Sequence, residues 1–270
     1  MSELVSCILT FSNPNRLSLA RKAVNNFIYQ RYTPYELLIV NGTSQSVLTN
    51  SDMETDYYKN AGTVREIKAP AGLNAAAMRN IGLKQAEGTY ALCIDDDDYF
   101  HPDRLIYQMA HRGTGGPCML KYQLRIDLSS ILWAASAEEP PISPSVPSMH
   151  LLAREAGIPC TVLFPRCLHS VPWLFNEDLN TGEYEDLVGR FALEYSNISV
   201  LDNKHTPFNK TCNLPLLSIA MYHGFNELSF IDFFSKTELQ PNDVDKLTGL
   251  NQHDIEHIKT VLRSYNFQVE

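Results

Sequence analysis

The sequence lacks several features, and each absence removes a class of protein. It contains no uninterrupted apolar run of the roughly 20 residues that a membrane-spanning helix needs. Its start, Met1-Ser2-Glu3, lacks the basic residues that open a signal peptide. Basic residues are in deficit, because 22 Lys and Arg stand against 31 Asp and Glu for a net charge of −9. That balance argues against binding to a phosphate backbone, and we expect a cytoplasmic protein.

The six cysteines form no Cys-x-x-Cys pair and no dense framework. Cys7 and Cys93 lie inside apolar, strand-like runs, where a small buried hydrophobic residue is the usual role. We therefore expect free thiols, with neither a disulfide scaffold nor a zinc site. The 270 residues, of which 44% are hydrophobic, are enough to build one substantial core.

The first hundred residues alternate between strand and helix patterns. Apolar runs typical of strands cover residues 4–11, 36–40, 64–68 and 89–94. Helical spacing of apolar residues covers 16–30 and 73–86, and Gly88 follows the second helix as a stop signal. This alternation predicts a parallel, doubly wound sheet. Ligands of such sheets bind at the carboxyl ends of the strands, where Asn41 and the run Asp95-Asp96-Asp97-Asp98 fall.

The second half of the chain has a different pattern. Residues 129–150 contain four prolines among small polar residues, which predicts a long, mobile loop that serves as a lid or a binding loop. Residues 183–195 and 254–265 have helical apolar spacing. We predict a main domain over residues 1–214 and a small, mainly helical C-terminal extension over 215–270.

Four consecutive aspartates directly after an apolar strand have a clear chemical meaning. Carboxylates so close together repel one another unless a cation neutralises them. Mg²⁺ and Mn²⁺ prefer carboxylate and phosphate oxygens, and a metal held here would stabilise a diphosphate leaving group. In an extended segment Asp95 and Asp97 would project together, with Asp96 and Asp98 on the opposite face. A solvated acidic turn is the alternative interpretation.

Three segments in a fixed order carry a family resemblance. Residues 77–83 read Ala-Met-Arg-Asn-Ile-Gly-Leu, residues 86–90 read Ala-Glu-Gly-Thr-Tyr, and residues 94–98 read Ile followed by the four aspartates. In this order the chain resembles glycosyltransferase family 2, over residues 5–105 and again over 161–205. The resemblance implies the GT-A fold, a Rossmann-like α/β fold of nucleotide-diphospho-sugar transferases. It also implies inverting transfer of a sugar from a nucleoside diphosphate, with UDP favoured, to an acceptor hydroxyl, assisted by Mn²⁺ or Mg²⁺.

The resemblance assigns residues to the donor side of the reaction. The implied metal ligands are Asp97, Asp95, Asp98 and His205. The implied nucleotide-sugar contacts are Thr10, Asn41, Arg79, Asn80, Asp95 and Asp96. Asn41 departs from the family, which usually has an aspartate that binds a uracil-type base at this position. Because Asn41 presents an NH₂ group where the aspartate presents only acceptors, the identity of the base stays open.

The resemblance also implies a catalytic base at the start of a helix. Glu183 matches the family's glutamate and is our first choice, with Asp186 and Glu185 as the alternatives. Tyr184 occupies the position of the family's usual aspartate. The alternative interpretation is that these acidic residues only favour the helix dipole.

Two other functions remain open from the sequence. Asn41 and Tyr184 favour a catalytically degenerate GT-A-like module that binds a nucleotide-sugar or a glycan. A sugar-phosphate nucleotidyltransferase is the third candidate, but residues 11–16 contain none of the glycines that its loop needs. A glycan is the default acceptor, while a protein, a lipid-linked sugar or a modified nucleobase are further acceptors. The sequence predicts no oligomeric state.

Overall fold

The computed structural model describes residues 2–48, 63–113, 115–127, 149–166, 174–196, 198–201 and 218–222. These residues form a mixed sheet with helices packed on both of its faces. The strands are β1 (Val5–Phe11), β2 (Tyr35–Asn41), β3 (Thr63–Lys68), β4 (Tyr90–Asp95), β5 (Tyr99–Phe100), β6 (Cys118–Asp127), β7 (Met149–Pro165), β8 (Ser199–Leu201) and β9 (Ser218–Tyr222). The helices are α1 (Leu17–Phe27), α2 (Ala75–Gln85), α3 (Arg104–His111) and α4 (Glu183–Glu194).

The sheet order is β3-β2-β1-β4-β7-β6-β9-β5, and β8 pairs with β6. The strands β3, β2, β1 and β4 are parallel neighbours, which confirms the parallel half that the sequence predicts. Beyond β4 the sheet is mixed, because β7 is antiparallel to both β4 and β6, whereas β9 is parallel to β6. The carboxyl ends of β1, β2 and β4 therefore lie side by side at one edge.

Strand β1 shows how both faces of the sheet are covered. All of its residues are buried. Val5, Cys7, Leu9 and Phe11 pack in a cluster that includes apolar residues of α1, whereas Ile8 packs in a second cluster with residues of α2 and α4. Because successive strand residues point to opposite faces, helices on both sides are required to bury this run. The result is the layered arrangement expected of a doubly wound domain.

Helix α2 approaches the sheet closely at Gly82. A Cβ atom on Gly82 would lie 2.5 Å from a methyl group of Ile8 on β1 and 3.0 Å from one of Val40 on β2. Only glycine permits this approach without displacement of its neighbours. The close contact places the polar side chains of α2 directly over the carboxyl ends of the strands.

Gly88 is not the helix stop that the sequence predicts. Helix α2 ends at Gln85, and the following residue, Ala86, is extended. The backbone N–H of Gly88 donates to Ser6 Oγ at 2.8 Å, and a Cβ there would lie 2.7 Å from the carbonyl oxygen of Leu4. Gly88 is therefore required by the close passage of two chain segments.

Some predicted features lie outside the described residues. They are most of the loop 129–150, His205, and the predicted helix 254–265. Where the structure does describe these regions it shows strands, since residues 149–150 begin β7 and Ser218–Tyr222 forms β9 within the predicted helical extension.

The cysteines and the helix lengths agree with the composition-based expectations. Within the described ranges, Cys7, Cys93, Cys118 and Cys160 are free thiols. No helix in the described part of the chain combines the length and the apolar character that crossing a membrane requires.

Candidate active site

The carboxyl ends of three neighbouring strands bring the predicted donor-site residues together. Thr10 on β1 lies opposite Asp95 on β4, and Phe11 lies opposite Asn41 on β2. Thr10 and Asn41 are buried, whereas the side chain of Asp95 is 38% exposed. At this edge of the sheet the side chain of Asp95 is partly exposed, whereas Thr10 on the neighbouring strand and Asn41 on the next one are buried.

Arg79 on α2 forms hydrogen bonds with both Asp95 and Glu183, the predicted base. Its Nη2 atom donates to Asp95 Oδ1 at 2.9 Å, and its Nη1 atom donates to Glu183 Oε1 at 2.6 Å. The Arg79 side chain is 5% exposed and the Glu183 side chain is 13% exposed. One guanidinium thus holds the last residue of β4 and the first residue of α4 in a single charged cluster.

Two aromatic rings pack against the guanidinium of Arg79. The guanidinium carbon lies 4.5 Å from the ring centre of Tyr184 and 5.5 Å from that of Phe175, and these two rings pack edge to face. Burial alone would lower the pKa of Arg79, but Tyr184, Asp95 and Glu183 outweigh it and raise that pKa well above its ordinary value. Arg79 is therefore a permanent cation of the site, and Tyr184 supports it instead of replacing the family's aspartate as a base.

Arg16 binds the next two aspartates, which corrects the predicted alternation of side chains. Its Nη2 atom lies 2.9 Å from Asp96 Oδ1, and its Nη1 atom lies 3.3 Å from Asp97 Oδ2. Asp96 and Asp97 therefore point to a common partner, whereas Asp95 points to Arg79. The alternation rule does not apply because β4 ends at Asp95 and the chain turns there.

Burial raises the pKa of Asp96. Desolvation raises the pKa of this carboxyl well above its ordinary value, and the charge of Asp97 adds to that effect, while Arg16 opposes it. Asp98, also buried, lies in the field of Arg104, whose pKa is lowered by burial and raised in part by Asp98. The four aspartates therefore lie in different environments.

The chemistry of this cluster fits a hard divalent cation. Asp95 and Asp97 supply carboxylate oxygens, and the Oδ2 atom of Asp96 is buried without a hydrogen-bond partner among the described residues. Across the described residues, no group of three or more His, Cys, Asp or Glu side chains already converges on one point as a metal site. A cation held by Asp95 and Asp97 would therefore complete its coordination with phosphate and water oxygens.

The side chain of Asn41 forms hydrogen bonds within its own loop, and its predicted contact with the nucleotide stays a prediction. Its Nδ2 atom donates to Gln45 O at 2.6 Å and to Glu66 Oε1, while its Oδ1 atom accepts from Thr43 N at 2.7 Å and Thr43 Oγ1 at 2.9 Å. Its side chain is fully buried. Asn41 therefore shapes the loop after β2.

Asn80 and Asn74 fasten α2 to the segment that precedes α4. Asn80 Nδ2 donates to Phe175 O at 2.9 Å and to Glu177 Oε1 at 2.8 Å, and its Oδ1 atom accepts from Phe175 N at 2.8 Å. Asn74 caps α2 through Ala77 N and also donates to Glu177 O at 2.7 Å. The polar atoms of Asn80 therefore have protein partners, and its predicted contact with the nucleotide stays a prediction.

The alternative bases lie away from Arg79. Asp186 Oδ2 accepts from Arg190 at 2.8 and 3.1 Å, one turn further along α4. Glu185 lines a groove with Met119, Gly157 and Val188, and no aspartate of the cluster lines this groove. Of the three candidate bases, Glu183 alone shares a partner with Asp95.

Sequence reasoning missed Arg16 and Glu66. Arg16 ends the turn after β1, beside β4, and the adjacency of these strands was the available signal. Glu66 accepts from Asn41, Ser46 and Leu48, and although its burial raises its pKa, these hydrogen bonds outweigh burial and lower it. Nothing in the sequence indicated that Glu66 faces Asn41, since that requires the register of β2 and β3.

Known structures share this architecture. The S. aureus protein TarS 1-349 in complex with UDP-GlcNAc matches 99% of this chain and 74% of its own, with a TM-score of 0.56 and 18% identity. The mannosyltransferase PcManGT from Pyrobaculum calidifontis, in complex with GDP-Man and Mn²⁺, matches 81% of this chain and 57% of its own, with a TM-score of 0.51 and 15% identity. The chain has the GT-A fold of these enzymes.

Sequence comparison finds similarity to glycosyltransferases. Residues 7–121, less than half of the chain, match the model described as Glycosyl transferase family 2. A relative in Escherichia coli (strain K12), "Putative colanic acid biosynthesis glycosyl transferase WcaA", is 26% identical over 181 residues, which are 67% of this chain and 64% of the relative. The "Uncharacterized glycosyltransferase RC0461" of Rickettsia conorii is 28% identical over 103 residues, which are 35% of this chain and 15% of that protein. Residues 7–121 are therefore similar to glycosyltransferase family 2, and the chain spans less than two thirds of the length of either relative.

Proposed function

We propose that this chain is a metal-dependent, inverting glycosyltransferase that moves a sugar from a nucleoside-diphosphate donor to an acceptor hydroxyl. The observation that carries the proposal is the shared contact of Arg79 with Asp95 and Glu183. The contact supports the proposal because it brings Glu183, the predicted base, close to Asp95, a predicted donor-site residue, and a direct displacement needs a base near the reacting donor.

Each group has a distinct task in this reaction. Asp95 and Asp97 would hold Mn²⁺ or Mg²⁺, which stabilises the charge that develops on the diphosphate. Glu183 removes the proton from the acceptor hydroxyl while that oxygen attacks the anomeric carbon opposite the leaving diphosphate. Arg79 fixes the orientation of Glu183, and the rings of Tyr184 and Phe175 hold Arg79 in place.

The proposal also covers the donor, the acceptor and the cellular compartment of the reaction. We infer a nucleotide-sugar donor and test UDP-sugars first, although the side chain of Asn41 is hydrogen-bonded to Gln45 and Thr43. TarS was crystallised with UDP-GlcNAc and PcManGT with GDP-Man, so both bases enter the panel. A glycan is the first acceptor to test, and we place the reaction in the cytoplasm.

The test measures release of free UDP or GDP from a panel of nucleotide-sugars in the presence of Mn²⁺. We expect slow, Mn²⁺-dependent hydrolysis of at least one donor, which Asp97→Ala abolishes while circular dichroism shows a retained fold. Glu87→Gln is the matched loss of a carboxylate, because that side chain is 76% exposed and is absent from the cluster. We expect it to keep the wild-type rate.

A binding module without turnover is the second candidate. The buried Tyr184 favours it, because Tyr184 stands where the family usually has an aspartate and supplies no carboxylate there. Tight binding of a nucleotide-sugar with no release of nucleotide, across a broad panel of donors and acceptors, would establish this function instead.

A further inference from the structure

A basic side chain from the turn that follows β1 lies against the aspartate cluster (Asp95–Asp98). The guanidinium of Arg16 contacts Asp96 at 2.9 Å and Asp97 at 3.3 Å. The Arg16 side chain is 12% exposed, and the two aspartate side chains are 2% and 7% exposed. The fork of Arg16 therefore spans two adjacent, buried carboxylates, and does not grip a single one in the usual bidentate manner.

The local sequence fixes the position of Arg16. Residues Pro14–Arg16 form a 3₁₀ turn that Asn13 caps, since its side chain accepts from Asn15 N at 3.0 Å. The backbone N–H of Arg16 donates to Asn13 O at 3.0 Å. Helix α1 begins at the next residue, so the turn is fixed on both sides. Because β1 and β4 are neighbouring strands, Arg16 lies next to the end of β4.

The positive charge of Arg16 stabilises the buried carboxylate of Asp96. Asp96 is 1% exposed, and a buried carboxylate is strongly destabilising unless a partner compensates its charge. Arg16 compensates it from one side. The same guanidinium then brings a positive charge to Asp97, the carboxylate that our proposed function assigns to the metal.

We propose that Arg16 is a built-in counter-ion of the aspartate cluster, which holds Asp96 and Asp97 together before a divalent cation arrives and weakens the binding of that cation. A unit positive charge a few ångströms from a divalent cation repels it, even at the effective dielectric constant of a protein surface. The diphosphate of the donor adds negative charge and offsets this repulsion. Free metal therefore binds weakly, and metal and nucleotide bind together.

This inference rests on the proposed metal-dependent function, and the experiment separates the two. Mn²⁺ binding to the purified protein is measured by electron paramagnetic resonance of free Mn²⁺, without nucleotide and with UDP. We expect Arg16→Gln to bind Mn²⁺ at least about tenfold more tightly than wild type without nucleotide. Arg16→Lys, which keeps the charge but cannot span both carboxylates, should bind with intermediate affinity.

Lys84→Gln is the matched control for the loss of one positive charge. Lys84 lies exposed in the last turn of α2, at the end of the helix opposite its Asn74 cap, and we expect it to leave Mn²⁺ affinity unchanged. Thermal unfolding with and without Mn²⁺ gives a second readout. Mn²⁺ should stabilise Arg16→Gln more than wild type, because a ligand stabilises the folded state according to its affinity.

The order of affinities decides the role of Arg16. Equal or weaker Mn²⁺ binding by Arg16→Gln, or an order other than Gln, Lys, wild type, overturns the counter-ion role while the metal site stands. If Arg16→Gln does not fold even with Mn²⁺, Arg16→Lys decides alone, and an affinity no tighter than wild type overturns the role. If neither wild type nor any variant binds Mn²⁺ with or without UDP, the metal-dependent function fails and this inference fails with it.

Discussion

Asn41 and Asp95 end the two strands that flank β1, yet their side chains differ in what they can bind. Both were predicted to contact the nucleotide, and both lie at the same edge of the sheet. The side chain of Asn41 is fully buried and all of its polar groups have protein partners, whereas that of Asp95 is 38% exposed. A position at the end of a strand brings a polar residue to the site, but its neighbours decide whether it is available.

The neighbours explain the difference between the two residues. Glu66 on β3 faces Asn41 and accepts a hydrogen bond from it, so a carboxylate at position 41 would meet a second carboxylate. Arg79 on α2 faces Asp95 and favours a charged carboxylate there. The departure of Asn41 from the family's aspartate is thus explained by Glu66, and the family's aspartate at position 95 is matched by Arg79.

Removal of Arg79 should have the largest effect, because Arg79 is the partner of Asp95. In Arg79→Gln the carboxylates of Asp95 and Glu183 lose their shared cation, and loss of one partner from a buried ion pair costs about 3–5 kcal/mol. We expect nucleotide release to fall at least about 100-fold, because the two carboxylates lose the group that positions them and small displacements of reacting groups cost about that much. Arg79→Lys should not restore it, since an ammonium cannot bridge two carboxylates in the same way.

The control for this variant is Arg190→Gln on α4. Arg190 pairs with Asp186 and lies about two turns beyond Glu183, so its loss should change the rate less than about threefold, as for an i,i+4 helix pair worth about 0.3–0.5 kcal/mol. A rate for Arg79→Gln within threefold of wild type would contradict the bridging role.

The variant Asn41→Asp tests whether Glu66 explains the asparagine at position 41. A carboxylate at position 41 would repel Glu66 and lose the hydrogen bonds that the NH₂ group donates to Gln45 and Glu66, so we expect a loss of about 2 kcal/mol in the free energy of unfolding. Glu66→Gln in the same chain should recover most of that loss. Chemical denaturation of the four proteins of this double-mutant cycle measures the coupling. Additive effects of the two substitutions would show that Glu66 does not select Asn41.

Gly82→Ala should have the smallest effect and tests how α2 reaches the strand ends. The added methyl group would lie 2.5 Å from Ile8 and force α2 away from the sheet, at a cost of about 1–2 kcal/mol in unfolding free energy. Gly189→Ala on α4 is the matched control, because nothing lies within 4 Å of its added Cβ and alanine is the better helix former. Destabilisation of both variants alike would mean that the close approach at Gly82 is unimportant.

The sequence predicts the strand–helix alternation of the first half because period and burial are local properties. Strands β1 and β2 were predicted within one residue at each end, and α1 and α2 within three. The mixed half of the sheet could not be predicted, because the antiparallel pairing of β6 with β7 and the parallel pairing of β6 with β9 depend on long-range register. The role of Gly88 was missed for the same reason, since it depends on contact with Leu4 and Ser6.

At the site, residue types were predictable and partners were not. The run from Asp95 to Asp98 indicated a cation from charge alone, but the turn after Asp95 sends Asp96 and Asp97 to Arg16. Likewise the family pattern indicated Arg79 without its bond to Glu183. Side-chain partners across 81 or 104 residues of sequence require the fold, as the Arg16–Asp97 and Arg79–Glu183 contacts show.

The most direct test of the central claim compares Glu183→Gln with Asp186→Asn in Mn²⁺-dependent release of nucleotide from the best donor of the panel. Both substitutions neutralise one carboxylate in the first turn of α4, but only Glu183 shares Arg79 with Asp95. We predict that Glu183→Gln lowers the rate at least about 100-fold, as loss of a general base does, and that Asp186→Asn changes it less than about threefold. An intact rate in Glu183→Gln together with an abolished rate in Asp186→Asn would contradict the account.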